Sequence, residues 1–196
     1  MQILKITEKN FKEVLKIAVK SIKEGKVLIC PTDTVYIPVA DATNKQAVRK
    51  VFLIKKRPFK NPIPIFVKDI KMAKKIAKID KKQGKFLERV WPGKVTVVLK
   101  RRKTKIKLYG VDKKTIALRI PNFKLVKFLL LKINRPLVGT SANISSYPPS
   151  GNIKEVLKQL KNKKHQPYLA INAGILPGKP SQVIDLTVSP AKILRT

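Results

Sequence analysis

A short polar segment follows the first buried strand that the sequence predicts. The apolar run Val27-Leu28-Ile29-Cys30 is typical of a buried strand, and Pro31-Thr32-Asp33-Thr34-Val35-Tyr36 follows it directly. Two hydroxyls, a carboxylate and a phenol at this point could bind a polar ligand, because ligands of open α/β sheets bind at strand ends. Taken alone, the segment is also compatible with a simple turn that is held by local side-chain hydrogen bonds.

Further polar clusters interrupt apolar runs along the chain. They supply cations that could stabilise phosphate charge, an arginine that could bind a carboxylate through two hydrogen bonds, and small hydroxyl or amide groups. Each cluster alone also fits a solvated basic patch, a helix cap, a turn or a strand-edge charge. They are Lys55-Lys56-Arg57-Pro58, Trp91-Pro92-Gly93-Lys94-Val95-Thr96, Thr115-Ile116-Ala117-Leu118-Arg119, Thr140-Ser141-Ala142-Asn143 and the weaker Gly178-Lys179-Pro180-Ser181-Gln182.

Predicted helices and strands alternate along the chain. Apolar periodicity predicts helices over about 8–24, 44–54, 69–78, 80–90, 122–132 and 152–162. Strands are predicted over about 26–31, 63–67, 95–99, 115–120, 136–139, 168–172, 181–186 and 192–195. This order predicts an α/β fold, with a twisted mixed β-sheet and flanking helices. The length of 196 residues and the lack of a linker predict a single domain over residues 1–196.

The net charge is far from neutral. The chain carries 45 Lys and Arg residues against 11 Asp and Glu residues, which gives a formal charge of +34. A field of this sign attracts nucleic acids, nucleotides and other polyanions. Most of the basic residues are lysines spread over nearly every predicted helix, and lysine is a solvated point charge rather than a shaped phosphate reader. A diffuse background charge and a nucleic-acid groove therefore both remain open as interpretations.

The scarce residue types limit the chemistry. A single histidine, His165, argues against a histidine-based triad or a histidine-rich metal site, so no protein-held metal is expected. A metal carried by substrate phosphates stays possible. The single cysteine, Cys30, excludes an internal disulfide and is expected to be a buried, reduced thiol. The sequence shows neither the apolar region of a signal peptide nor a membrane span, which predicts a soluble, cytoplasmic protein.

Taken in order, the polar clusters resemble the motifs of the YrdC family. The family pattern is P-T-[DE]-T-V-Y-G-L, K-x-R-P, P-G-x-x-T, [VL]-x-R-x-P, [ST]-S-A-N and S-x-V-[IV]-D. Six segments in the same order match it and extend over nearly the whole chain, as in the short single-domain members of the family. They are Pro31–Tyr36, Lys55–Pro58, Pro92–Thr96, Leu118–Pro121, Thr140–Asn143 and Ser181–Asp185.

The resemblance implies a nucleotidyltransferase that works in tRNA modification. YrdC-family enzymes are L-threonylcarbamoyladenylate synthases, which make threonylcarbamoyl-AMP and pyrophosphate from L-threonine, bicarbonate and ATP. ATP would be a substrate that brings Mg²⁺ with it. A downstream threonylcarbamoyl transferase then passes the threonylcarbamoyl group to an adenosine of tRNA. The fold implied is YrdC-like, with a deep basic cleft.

The resemblance also implies roles for individual residues. Lys55 and Arg57 match the family's catalytic cations, which stabilise charge on the phosphates. The L-threonine site is implied at Thr34, Arg119, Thr140 and Ser181. The ATP site is implied at Arg57, Asn61, Thr115, Ser141, Asn143 and Arg195.

Three positions depart from the family pattern. Ile37-Pro38 follows the tyrosine where the family has glycine, so a positive φ at this point would predict strain or a rebuilt turn. Phe66 stands where some members have a histidine, and Gln182 replaces a usual threonine. Two alternative functions remain open. One is a YrdC-fold protein that binds tRNA or double-stranded RNA without catalysis; weak, nonspecific binding of tRNA or double-stranded RNA is expected from the charge whichever function is right. The other is a related enzyme that uses another amino acid or acyl group.

Overall fold

A computed structural model describes residues 1–160 and 163–196 of the chain. Helices and strands alternate, as the sequence predicts. The described helices are α1 (Phe11–Lys23), α2 (Lys45–Lys55), α3 (Ile70–Ile76), α4 (Lys81–Val90), α5 (Lys124–Ile133) and α6 (Ile153–Leu160). The described strands are β1 (Gln2–Lys5), β2 (Leu28–Cys30), β3 (Ile37–Val39), β4 (Ile65–Phe66), β5 (Val95–Lys100), β6 (Thr115–Arg119), β7 (Leu137–Val138), β8 (Leu169–Asn172), β9 (Gln182–Asp185) and β10 (Lys192–Arg195).

The strands form two mixed sheets that meet at one point. One sheet has the order β1-β8-β2-β3, and the other has the order β10-β9-β5-β6-β4-β7. Both contain parallel and antiparallel neighbours. In the first sheet β8 is parallel to β1 and β2, and β3 is antiparallel to β2. In the second sheet β9 is parallel to β5, and β6 is antiparallel to β5. The chain that leaves β3 pairs with β7, because the Val138 N–H donates to the Ala40 carbonyl at 2.8 Å and Asp41 bridges Leu137. The predicted mixed-sheet α/β fold is therefore confirmed.

Amphipathic helices cover the sheets. The buried face of α1 includes Val14, Ala18 and Ile22, and α1 packs against α5 in a core that also contains β2 and β8. α1 ends at Lys23, close to the predicted end at about residue 24, and Gly25 closes it, because Gly25 has a φ of +74° and its N–H donates to the Ile22 carbonyl. A second core lies under α2, α3 and α6, where it packs against the larger sheet.

The prediction missed two strands. β1 has no alternation of buried and exposed residues that would identify it, since its four residues are mostly exposed. β3 contains Pro38 and follows the polar segment directly, and a proline at that point favours a turn over a strand in the sequence pattern. The predicted helix over 152–162 is described as α6, and positions 161–162 lie outside the described residues.

The one cysteine lies in the core, as predicted. Cys30 is a free, fully buried thiol in β2, and burial raises its pKa well above the ordinary value. A thiol in this state is a packing residue rather than a nucleophile. None of the helices in residues 1–160 and 163–196 is long and apolar enough to span a membrane.

Candidate active site

A cavity of about 320 Å³ lies where the ends of several strands meet. Strand pairing determines which side chains reach it: Phe66 of β4 is in register with Arg119 of β6, and β9 lies beside β5 on the other side. The cavity wall combines three guanidinium groups, several small hydroxyls and an apolar surface. Its polar lining residues are Thr34, Arg57, Asp112, Thr115, Arg119, Thr140, Ser141, Ser181 and Arg195.

The segment after β2 is a tight turn closed by its own hydroxyls. The Thr32 hydroxyl donates to the Val35 carbonyl at 2.7 Å and accepts the Thr34 N–H at 3.0 Å. The local hydrogen-bonded turn is therefore present, and it also presents Thr34 to the cavity. Tyr36 anchors the far end, since its buried hydroxyl donates to the Gly174 carbonyl at 2.7 Å and accepts the Ala173 N–H.

Arg119 is the most buried cation of the cavity. Its Nε donates to the Gly93 carbonyl at 2.8 Å, and its Nη1 donates to the Thr34 hydroxyl at 3.1 Å. Its Nη2 forms an ion pair with Asp33 at 2.6 Å. Burial lowers the pKa of the guanidinium, while the charge of Asp33 acts in the opposite direction. Arginine has five N–H donors, so two remain for a ligand.

Arg57 is held by the loop that follows it. Its Nε donates to the Asn61 carbonyl at 3.0 Å and its Nη2 donates to the Pro62 carbonyl at 2.9 Å. Pro58 and Pro62 prevent this loop from continuing α2, which ends at Lys55. The Arg57 side chain therefore lines the cavity from a loop whose carbonyl groups fix its direction. In this arrangement Asn61 acts through its backbone.

Lys55 points away from the cavity and into the loop that carries Ser141. Its buried ammonium donates to the carbonyl of Ser141, to the Asn143 carbonyl at 2.9 Å and to the Asn143 side-chain oxygen at 3.1 Å. The Ser141 hydroxyl also donates to that side-chain oxygen. When Lys55 is protonated, all three of its ammonium N–H groups are therefore used within the protein. In this geometry Lys55 and Asn143 hold Ser141 in position.

The environment of Lys55 leads to a prediction about pH and stability. Burial lowers the pKa of Lys55 from 10.5 to about 7, and the nearby charge of Arg57 adds to the decrease. Between these two values the unfolded chain holds a proton that the folded protein lacks, so this group makes stability rise with pH. Relative to Lys55→Met, we expect the wild-type free energy of unfolding to increase by about 1.4 kcal/mol per pH unit between pH 7.5 and 9.5.

The measurement is a set of chemical denaturation curves over this pH range. Lys74→Met is the matched control, because Lys74 is exposed on α3. The free energies of unfolding of the wild type and Lys74→Met should differ by an amount that is nearly constant with pH. If the difference in the free energy of unfolding between the wild type and Lys55→Met is also constant with pH, folded Lys55 keeps its proton over the whole range.

Ser181 and Arg195 form the opposite side of the cavity. Two nitrogens of Arg195 donate to the Ser181 carbonyl, at 3.0 and 2.7 Å, and Nη2 also lies 3.3 Å from the Ser181 hydroxyl. The Ser181 hydroxyl shares a 2.9 Å hydrogen bond with the buried Thr96 hydroxyl. β10 thus places Arg195 over the segment that leads into β9, and burial lowers the pKa of Arg195.

The apolar part of the wall is closely packed around Phe66. Gly139 precedes Thr140, and a Cβ atom at Gly139 would overlap carbons of the Phe66 ring. The ring also faces the Arg119 guanidinium, with 5.6 Å between its centroid and the Arg119 carbon. Ile37 lines the same cavity from β3, where its backbone is extended and its φ is not positive, so the strain that a positive φ would cause does not arise at this position.

Eight of the eleven residues predicted for the site line this one cavity. They are Thr34, Arg57, Thr115, Arg119, Thr140, Ser141, Ser181 and Arg195. Lys55 and Asn143 are connected to it through Ser141, and Asn61 through Arg57. Whether these residues bind the implied substrates stays a prediction.

Asp33, Thr96 and Asp112 belong to the site but were not among the predicted residues. Asp33 was part of a recognised cluster, yet its partner Arg119 is 86 positions away, so nothing local indicated the pair. Thr96 also lay in a recognised cluster, and its contact with Ser181 spans 85 positions. Asp112 lay in a lysine-rich segment without a recognised motif. Its Oδ1 accepts the N–H groups of Lys114 and Thr115, which lower its pKa.

The comparisons with known proteins agree with the motif pattern. A family model named Sua5/YciO/YrdC and described as "Telomere recombination" matches residues 20–196. A relative from Methanocaldococcus jannaschii, named as a putative threonylcarbamoyl-AMP synthase, is 35% identical over 163 residues, which are 83% of this chain and 76% of the relative. The threonylcarbamoyl-AMP synthase of Pyrococcus abyssi is 31% identical over 195 residues, which are 98% of this chain and 56% of that protein.

A solved structure supports the same assignment at the level of the fold. The crystal structure of Pyrococcus abyssi Sua5 complexed with L-threonine matches with a TM-score of 0.84 and 30% identity, over 99% of this chain and 56% of that one. The chain thus spans only slightly more than half the length of the Pyrococcus protein. The extent of the family match and the shared fold lead to one conclusion: this chain belongs to the Sua5/YciO/YrdC family.

Proposed function

We propose that this protein is an L-threonylcarbamoyladenylate synthase, which makes threonylcarbamoyl-AMP and pyrophosphate from L-threonine, bicarbonate and ATP. The observation that carries the proposal is the convergence of Arg57, Arg119 and Arg195 on one cavity with small hydroxyls between them. The names of the relatives support the same activity. A cavity built in this way has positive groups for phosphates and hydrogen-bonding groups for an amino acid.

The amino-acid end of the cavity is formed by Thr34, Arg119, Thr140 and Ser181. Arg119 has two N–H groups left over from its protein contacts, and these suit the threonine carboxylate. Hydroxyl groups both donate and accept hydrogen bonds, so the other three residues can bind the amine and the hydroxyl of threonine. The Sua5 structure from Pyrococcus abyssi is a complex with L-threonine, which supports this choice of amino acid.

The phosphate end is formed by Arg57, Thr115, Ser141 and Arg195. In the reaction, the amine of L-threonine first combines with bicarbonate to give N-carboxythreonine and water. The new carboxylate then attacks the α-phosphorus of ATP, and the bond from that phosphorus to the pyrophosphate oxygen breaks. Such a reaction depends on alignment and on cations near the phosphate oxygens. Arg57 and Arg195 supply these cations. Lys55, Asn61 and Asn143 keep Arg57 and Ser141 in place.

Magnesium would enter this site with ATP. Residues 1–160 and 163–196 contain no group of three or more His, Cys, Asp or Glu side chains that could hold a metal ion. Asp33, which contacts Arg119, and Asp112, which lines the cavity, are already engaged, Asp33 with Arg119 and Asp112 with backbone N–H groups. Mg²⁺ usually keeps several waters and binds substrate phosphates together with one or two carboxylates, and here both of these carboxylates have other partners. The chain therefore fits a metal that is bound mainly through the substrate.

The product formed identifies the reaction. We expect pyrophosphate release and threonylcarbamoyl-AMP only when ATP, L-threonine and bicarbonate are all present, because the attacking group is made from the last two. The assay follows pyrophosphate and identifies the adenylate by mass spectrometry, with each other amino acid tested in place of threonine. Equal turnover without threonine, or a different amino acid giving the faster reaction, would contradict the proposal.

RNA binding is a second candidate function, and the net charge of +34 is the observation that favours it. Lysine–phosphate contacts release counterions from any nucleic acid, so this chain should bind tRNA and other duplexes with little sequence preference. A downstream transferase would carry the threonylcarbamoyl group to tRNA, so tRNA need not occupy the cavity described above. Binding of this kind would accompany the synthase activity rather than replace it.

Salt separates the two functions. We expect tRNA binding to fall with a log–log slope of about −0.7 to −0.9 per phosphate contact, so that ~0.3 M salt removes most bound tRNA. Adenylate formation should continue there without RNA, because the ligands lie in a cavity partly shielded from bulk ions. Filter binding and pyrophosphate release are measured over one salt series. Tight, sequence-selective tRNA binding at ~0.3 M salt without adenylate formation would favour the RNA-binding function.

A further inference from the structure

The three arginines of the cavity differ in their charge partners. Among the described residues, Arg119 is the one of the three with a carboxylate within 4 Å, at 2.6 Å from Asp33. Arg57 donates to carbonyl oxygens, and Arg195 donates to the carbonyl and hydroxyl of Ser181. These acceptors are neutral, so the positive charges of Arg57 and Arg195 are not offset by a neighbouring carboxylate, whereas the positive charge of Arg119 is offset by Asp33.

Asp33 neutralises Arg119 without occupying the space for a ligand. Arg119 and Thr34 line the cavity wall, and Asp33 contacts the guanidinium from outside that wall. The second carboxylate oxygen of Asp33 accepts the Asn122 N–H at 3.2 Å, which fixes the group on the far side. The side chains of Arg119 and Asp33 are only 3% and 10% exposed, so water screens the pair weakly.

A neutral ion pair of this kind binds different anions with different strength. A phosphate group with two negative charges is attracted by Arg119 but repelled by Asp33, and both effects scale with its charge. L-Threonine enters as a zwitterion, before it reacts with bicarbonate, and its carboxylate needs directed hydrogen bonds more than net positive potential. Arg119 still offers two N–H groups for a carboxylate, and Thr34 offers a hydroxyl beside them.

We infer that Asp33 sets the specificity of this end of the cavity: it cancels the charge of Arg119, so that the end accepts an amino acid and rejects phosphate groups. ATP and pyrophosphate are then directed to Arg57 and Arg195. The inference rests on the proposed function for the placement of the amino acid. It assigns Asp33 a role in specificity through Arg119 rather than contact with the substrate.

The Nε–H signal of Arg119 in a ¹⁵N-correlated NMR spectrum reports on this end directly. This N–H donates a hydrogen bond to the Gly93 carbonyl, and the Arg119 side chain is buried. Both features protect the proton from exchange with water. The signal is assigned by its loss in Arg119→Lys. At ~0.3 M salt, which screens the surface lysines, we expect L-threonine to shift the wild-type signal and inorganic phosphate to leave it unchanged.

Asp33→Asn removes the charge and keeps the shape. The amide oxygen can still accept from Arg119, so we expect phosphate now to shift the signal, with an affinity at least ~10-fold higher than for the wild type, and to compete with threonine. Asp112→Asn is the matched control, because it makes the same change of net charge at another part of the cavity wall. It should leave the Arg119 signal unresponsive to phosphate.

The outcomes separate the inference from the proposed function. A wild-type signal that responds to phosphate as strongly as the Asp33→Asn signal overturns the role of Asp33, whichever amino acid binds. A wild-type signal that does not respond to threonine contradicts the placement of the amino acid, and therefore the proposed function too. If Asp33→Asn does not fold, the comparison of threonine with phosphate on the wild type still decides, since a phosphate response there overturns the inference.

Discussion

Arg57→Ala is expected to lower the rate of adenylate formation by ~10²-fold or more. Arg57 lines the cavity and is not neutralised by a carboxylate among the described residues, so its guanidinium can stabilise the charge that develops on the phosphates. Loss of one such preorganised donor typically has an effect of this size. The expected change is in turnover at saturating ATP and threonine, measured by pyrophosphate release.

Lys74→Ala provides the comparison for general loss of positive charge. Lys74 is exposed on α3 and does not line the cavity, so turnover should stay close to that of the wild type. Circular dichroism and thermal unfolding of Arg57→Ala would confirm that the variant is folded. Near-normal turnover in folded Arg57→Ala would place the phosphate site elsewhere.

Gly139→Ala is expected to reduce stability strongly for so small a change. The new methyl group would overlap the Phe66 ring, where one carbon lies 2.7 Å from the ideal Cβ position and two lie closer still, and the ring is itself fully buried. Overpacking of this kind costs about 1–3 kcal/mol, which for a chain of this length corresponds to a decrease in Tm of about 2–12 °C. Differential scanning calorimetry measures the shift.

Two further variants test the cause of this decrease. Gly84→Ala adds the same methyl group within α4, where nothing lies within 4 Å, and should raise stability by about 0.5–1 kcal/mol. Phe66→Leu removes ring atoms and should recover part of the stability lost in Gly139→Ala. If the losses of stability in Phe66→Leu and Gly139→Ala simply add in the double variant, overlap with the Phe66 ring is not the cause of the loss in Gly139→Ala.

The sequence predicted the larger elements well because their apolar residues repeat with the helical or strand period. Apolar periodicity predicted α1, whose buried face includes Val14, Ala18 and Ile22, and the uninterrupted run from Val27 to Cys30 predicted β2. β1 and β3 gave no such signal. β1 is a largely exposed strand that depends on pairing with β8, and β3 is three residues long with a proline at its centre.

The site was predictable as a set of residues but not as a set of contacts. The motifs brought together residues whose side chains line one cavity, and the family and fold that they implied are confirmed. Contacts between distant motifs left no trace in the local pattern. The clearest cases are the ion pair of Asp33 with Arg119 and the three hydrogen bonds that turn Lys55 toward the loop at residues 141–143.

β10 links the cavity to the edge of the larger sheet. The strand is exposed throughout and has β9 as its neighbour, yet it carries Arg195 into the cavity wall. Strands at an edge open more readily than central ones, so the order of β10 and the affinity for phosphates are thermodynamically coupled in the proposed synthase. This coupling would be reciprocal: ATP would stabilise the edge strand by the same factor by which an ordered edge strand would strengthen ATP binding. In the proposed synthase, a partner that pairs with β10 and orders it would therefore raise the affinity for the nucleotide.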